Sequence, residues 1–201
     1  MCYNKIQHFR RGENIMIAFF VTFLAILLAE LGDKSQLVTL TLSTRFPPRQ
    51  VVAGALGALA ALTALAAALG DFMADLLPET TILIASALFF FAVGTWMVFR
   101  QETPDGEVEE PRHGVATQTF AMIFLAELGD KTQLTVIALT AAYGTPIPVF
   151  LGAMAAQFVN HGAAAYLGSR YLTRLPGRTI KIVSAALFFF FGAAMLYSAI
   201  F

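Results

Sequence analysis

Cysteine is all but missing from this sequence. Cys2 is the only one in 201 residues, which excludes an intrachain disulfide and any cysteine-built metal cluster. Charge is also scarce: Asp, Glu, Lys and Arg make up 13% of the chain, about half of what a soluble domain carries. The 13 basic and 13 acidic residues balance to a formal net charge of zero, so no bulk electrostatic argument favours nucleic acid or an acidic partner. What fills the space is apolar, with 58% hydrophobic residues and a mean hydropathy of +0.71.

The apolar residues fall in long blocks separated by short polar stretches. A bilayer-spanning helix needs about 20 mostly apolar residues, and spanning segments in lipid must satisfy their own backbone groups, which a helix does. Six segments are expected, at 15–44, 51–70, 81–99, 115–142, 148–168 and 179–201. Breakers fall between them: Pro47-Pro48, Pro78, Pro146 and Pro148, and Pro176-Gly177. Residues 1–14 are polar, with Lys5, Arg10 and Arg11, and read as an N-terminal extension, with Met16 as an alternative start. The apolar run from Ile15 is too long for a signal-peptide core and has no small-residue cleavage site, so it reads as the first span.

The chain repeats itself. Glu30-Leu-Gly-Asp33-Lys34-Ser35-Gln36 recurs as Glu127-Leu-Gly-Asp130-Lys131-Thr132-Gln133. Beyond the motif, Gly54 matches Gly152, Leu69-Gly70 matches Leu167-Gly168, Pro78 matches Pro176, Thr81-Ile82 matches Thr179-Ile180, and Gly94 matches Gly192. A first three-helix repeat at 15–99 and a second at 115–201 are therefore expected, joined by an acidic linker at 100–114. An odd number of spans per copy inverts the second copy relative to the first. The expected fold is an all-α membrane protein of six transmembrane helices in two inverted three-helix repeats, an architecture common in secondary transporters, with the site near the midplane. Arg45, Arg49, Arg100, Arg112, Arg170, Arg174, Arg178 and Lys181 fall on one side of this topology. The positive-inside rule then places the linker in the cytoplasm and both termini outside, with only the N-terminal Lys5, Arg10 and Arg11 against it.

Each motif sits in an apolar surrounding, where ionisable groups cost at least a few kcal/mol and usually mark function. On a continuous helix, Glu30 and Asp33 share one face, with Lys34 close to it. Facing the two motifs across the repeat axis brings together Glu30, Asp33, Glu127 and Asp130 as candidate metal ligands. Ser35, Thr132, Gln36 and Gln133 offer supporting neutral oxygens. Four carboxylates against Lys34 and Lys131 leave a net charge of −2, which suits one divalent cation. An all-oxygen set favours Ca²⁺ or Mn²⁺, with Mg²⁺ held back by its hydration and Zn²⁺ and Cu⁺ poorly matched. Crowded buried acids can also carry protons, so cation and protons would compete for one site, which is antiport by mass action. Gly32 and Gly129 allow close packing or unwinding beside the acids. Lys34 and Lys131 are either counter-ions to the aspartates or direct participants in transport. A plain ion-pair lock would not need the additional Glu and Gln.

The doubled Glu-x-Gly-Asp-Lys-(Ser/Thr) motif resembles the signature of the Gdt-like cation exchangers, and the resemblance covers Ile15 to Phe201. It implies exchange of Ca²⁺ or Mn²⁺ against protons, and carries Glu30, Gly32, Asp33, Lys34 and Ser35, with Glu127, Gly129, Asp130, Lys131 and Thr132, over as site residues. Family members act in Golgi and plastid membranes and as bacterial manganese exporters, and this compact chain looks like the bacterial, inner-membrane type. No resident cofactor is expected; the ion is cargo, and the other partners are protons and the lipid bilayer. The sequence leaves oligomeric state and proton stoichiometry open.

One stretch differs between the halves. Gln157, Asn160 and His161 stand where the first half has Leu59, Leu62 and Thr63. Asn160 and His161 are candidates for a proton path, or else for interhelical hydrogen bonds; Thr39 and Thr41 could extend a cation path or bond their own backbone. Asp71, Asp75 and Glu79 read as a solvated loop, and the Phe89 and Phe188 runs as packing or lipid-facing residues. A passive cation channel built on the same acids is the competing reading. An intramembrane aspartyl protease using Asp33 and Asp130 fits poorly, because the adjacent lysines oppose a shared proton.

Overall fold

In the computed structural model, residues 2–31, 33–99, 114–171 and 177–200 are described. They form eight helices: α1 (Cys2–Ala29), α2 (Lys34–Arg45), α3 (Pro48–Leu76), α4 (Glu79–Phe99), α5 (Val115–Glu127), α6 (Lys131–Tyr143), α7 (Pro146–Tyr171) and α8 (Gly177–Ile200). Gly32, Pro176 and residues 100–113 of the expected linker lie outside the described residues, as do the side chains of Lys34, Glu79 and residues 167–181.

The boundaries follow local chemistry. Pro48 occupies the first turn of α3, where its missing N–H costs nothing. Gly144 ends α6 in the left-handed conformation (φ 59°), its N–H returning 2.8 Å to the Thr140 carbonyl. Two expectations need correction. The spans expected at 15–44 and 115–142 are each two helices, broken at the motif. Asp71 and Asp75 are not in a loop, because α3 runs on to Leu76; they are exposed on its last turns. Residues 2–14, read as an extension, continue α1. Among the described residues, α3 alone is long and apolar enough to cross a membrane unaided. Ile15–Ala29, Thr80–Trp96, Val115–Glu127 and Ala185–Ile200 are shorter apolar helical stretches.

Packing exchanges equivalent elements between the two halves. α1 packs along α7, α5 along α3, and α4 along α8. A Cβ on Gly54 of α3 would overlap the Ala116 carbonyl oxygen and Thr119 of α5, and one on Gly152 of α7 would overlap the Phe19 carbonyl oxygen and crowd Thr22 of α1. Ala116 and Thr119 are the repeat counterparts of Phe19 and Thr22. Likewise Gly94 meets the Ala185 carbonyl and Phe189, while Gly192 meets the Ala87 carbonyl and Phe91. Small residues let these backbones touch, which is how helices associate where no hydrophobic force separates side chain from lipid. The aromatic runs divide: Phe90 and Phe188 are fully buried with ring centroids 5.6 Å apart, whereas Phe190 is 65% exposed.

Candidate cation site at two helix breaks

The motif stops its own helix. α1 ends at Ala29 and α2 starts at Lys34; α5 ends at Glu127 and α6 starts at Lys131. The same turn closes both gaps, with the Asp33 N–H on the Glu30 carbonyl and the Asp130 N–H on the Glu127 carbonyl, each 3.1 Å. Gly129 takes φ +79°, a backbone conformation that side chains other than glycine's disfavour. Asp130 then sits at the N-cap of α6, where aspartate is favoured by the unpaired N–H groups and the positive helix end. Glu30 and Asp33 therefore do not share a face of one helix, as their spacing suggests. They meet because the chain turns between them. Gln133 braces the second break, its amide donating 2.7 Å to the Glu127 carbonyl and its oxygen accepting from the Gly129 N–H at 3.2 Å.

The two breaks come together. Carboxylate oxygens of Glu30, Asp33 and Asp130 lie within 4.8 Å of one another. Glu127 faces Glu30, Asp130 and the Ser35 hydroxyl. Glu30 is completely buried and Glu127 almost so. The contacts between the breaks are crossed: Thr132 donates to Glu30, and the Lys131 ammonium pairs with Asp33 while lying 3.6 Å from Asp130. Ser35 also stands 3.5 Å from the other Glu30 oxygen. One Glu127 oxygen, Oε2, is buried with no hydrogen-bond partner among the described residues. A buried polar atom in that condition calls for an explanation, and an acceptor facing two other carboxylates is one a cation can satisfy. The donor set is carboxylate and hydroxyl oxygen, the chemistry hard divalent cations prefer.

A polar strand runs from this cluster down α2 to α7. Gln36 donates 3.1 Å to the Asn160 carbonyl, Asn160 donates 3.1 Å to the Leu27 carbonyl, and Thr39 lies 2.8 Å from His161 Nδ1. Gln157 donates 3.3 Å to Thr63. Gln157, Asn160 and His161 are all buried. Thr41 bonds the Leu37 carbonyl of its own helix at 2.9 Å and stays outside this chain of contacts. The sequence singled out these residue types, but not that Thr132 reaches the carboxylate of the opposite half. The exchanged repeat contacts are the signal that could have found that bond.

The profile of the family described as "Divalent cation/proton antiporter GDT1" matches residues 18–105 and again 115–201. A GDT1-like protein of Synechocystis is 28% identical over 211 residues, covering 92% of this chain and all of the relative. A Vibrio cholerae protein named "Putative manganese exporter" is 29% identical over 187 residues, covering 92% and 93%. GDT1-like protein 3 of Arabidopsis thaliana is 26% identical, covering 92% and 72%. No solved structure matches. With nearly its whole length matched, and matched in two copies that each contain one of the converging breaks, the chain belongs to the GDT1 family of divalent cation/proton antiporters.

Proposed function

We propose that this chain exports Mn²⁺, or Ca²⁺ by the same ligand chemistry, from the cytoplasm in exchange for protons. Glu30, Asp33, Glu127 and Asp130 form the site, supported by Ser35, Thr132 and the two lysines. The observation that carries the reading is the meeting of three carboxylates from two helix breaks within 4.8 Å. Kinship with the Vibrio cholerae protein named "Putative manganese exporter" supports the same cargo.

Six spans in two inverted repeats give this site its place at the midplane. The crossed glycine contacts support that architecture, since equivalent surfaces that exchange partners are what a two-fold relation produces. Broken helices are how such carriers expose charged helix ends to an ion. The loop arginines support both termini outside and a cytoplasmic linker in a bacterial inner membrane. In the cycle, carboxylates that release the cation take protons in its place. Rocking one half against the other then carries each cargo across. The contacts of Asn160 and His161 with α1 and α2 make them the proposed proton path. Lys131 lies between Asp33 and Asp130, a position from which its ammonium can neutralise the site when the divalent ion has gone.

Reconstitution in liposomes tests this directly, following Mn²⁺, Ca²⁺ and internal pH together. Cation uptake should move with opposed proton flux and be lost in Asp130→Asn. Cation flux with no opposing proton movement would instead establish a channel.

A further inference from the structure

A groove of about 450 Å³ opens at the protein surface and is lined by residues that the exchange cycle described above does not use. It runs between the start of α3 and the second half of α7, so one wall comes from each half of the chain. Arg49 and Tyr166 stand at one end, and Val52, Phe158, Val159 and Gly162 continue it. The register of α7 explains the lining. Gln157, Asn160 and His161 turn inward and are buried, whereas Phe158, Val159 and Tyr166 are 61%, 46% and 60% exposed. Gly162 leaves the groove open, since a Cβ there would meet nothing within 4 Å.

The groove is amphiphilic along its length. Arg49 is the second residue of α3, where polar loop gives way to an apolar helix, and it has no ion-pair partner among the described residues. Tyr166 beside it has the amphipathic character that favours the lipid–water boundary. Below these two, the walls are apolar. An arginine fork matches phosphate bidentately, and an apolar slot in a membrane protein faces acyl chains.

We propose that this groove binds one anionic phospholipid, its phosphate on Arg49 and one acyl chain along Val52, Phe158 and Val159 over Gly162. Charge complementarity selects the ligand: a headgroup with net negative charge pairs with Arg49, whereas a zwitterionic one brings its own cation. Because α3 and α7 belong to opposite halves, a bound lipid bridges them. The inference rests on the membrane reading of the family but not on the cargo or the direction of transport.

Delipidated protein in detergent provides the test, read by thermal unfolding and by native mass spectrometry. Phosphatidylglycerol should raise the unfolding temperature in a saturable way and remain as a one-lipid adduct; phosphatidylcholine of the same chains should do neither. Arg49→Gln and Gly162→Phe should each abolish the phosphatidylglycerol shift while keeping a monodisperse elution profile. If Gly162→Phe does not fold, Ala53→Leu fills the same groove from the other wall. An equal response to both lipids, a full response in Arg49→Gln, or the same shift produced by glycerol phosphate alone would each overturn the proposal. The readouts involve no transport, so a failed proposal here leaves the exchange reading untouched, and the reverse also holds.

Discussion

Asp33 and Lys131 join the two helix breaks, and a double-mutant cycle on them separates a lock from a ligand. Lys131 is buried and Asp33 nearly so, their side chains 5% and 9% exposed. Removing one partner of a buried ion pair costs about 3–5 kcal/mol, or roughly 10²–10⁴ in the folded-to-unfolded ratio. The two single variants should not be equal. Asp33→Asn leaves Lys131 with Asp130 at 3.6 Å, so its loss should sit near the low end, about 3 kcal/mol. Lys131→Gln takes the ammonium away from both Asp33 and Asp130 and should sit near the high end, about 5 kcal/mol. Replacing both partners removes the Asp33–Lys131 pair as a whole, and an Asn and a Gln can hydrogen-bond, so the double variant should lose less than the two singles summed, its remaining cost being the loss of Lys131 beside Asp130. Unfolding in mixed detergent micelles can be followed by the fluorescence of the single tryptophan, Trp96, which is 44% exposed.

Transport by the same three proteins supplies the second axis. If Asp33 binds the cargo, the double variant folds well and still fails to move Mn²⁺ in liposomes. Recovery of wild-type flux in the double variant would refute the ligand role and reduce Asp33 to a structural pair. Additive losses, with the double variant as unstable as the two singles summed, would refute the pairing itself.

Gly54→Ala and Gly152→Ala each drive a Cβ into a backbone carbonyl of the opposite half; both should abolish the folded, monodisperse protein, whereas Gly162→Ala, which meets nothing, should be neutral or slightly stabilising in the same elution and unfolding assays. Gly129→Ala has open space around its Cβ but a φ of +79°, so it should cost only about 1–2 kcal/mol, measured by unfolding, with lowered transport if the break relaxes. Thr132→Val removes the hydroxyl on Glu30 and should weaken apparent cation affinity about tenfold, the worth of one hydrogen bond, while Thr132→Ser retains it; equal KM values in flux assays would contradict the contact. His161→Leu combined with Thr39→Val removes the 2.8 Å contact without stranding either group, and should slow proton-coupled flux while leaving Mn²⁺ binding measured by calorimetry intact.

How far the sequence carried the reading depends on what each signal measures. The doubled motif and the paired glycines were visible as a repeat, and the structure uses them in pairs: Gly54 and Gly152, Gly94 and Gly192. Apolar periodicity hid the helix breaks, because residues such as Leu31, Leu128 and Leu37 keep a window apolar whether or not the backbone is continuous. Gly32 and Gly129 hint at the turn, but a glycine is equally at home in a close helix contact. Convergence of the acids followed from charge cost and repetition. Which residue reaches which did not, since the crossing of Thr132 to Glu30 and Lys131 to Asp33 depends on how the halves are placed. The acidic stretch Glu102 to Glu110 lies outside the described residues.

The halves agree where they grip each other and differ where they hydrogen-bond. The glycine contacts exchange residue for residue, yet Thr39 on α2 faces His161, while the repeat counterparts of that pair are Val136 and Thr63. Gln36 reaches across to α7, whereas its counterpart Gln133 folds back on its own break. A fully symmetric site would present the same polar surroundings to both sides of the membrane as the halves rock. Among the described residues, the α2–α7 contacts join Gln36 and Thr39 to Asn160 and His161, whereas Thr135 and Gln133 on α6 bond back to their own segment. An ion that needs only carboxylates can use either face equally, whereas the proposed proton path follows the α2–α7 contacts. Under the exchange reading, that is where a difference between the cation path and the proton path can reside without any difference in the ligands themselves.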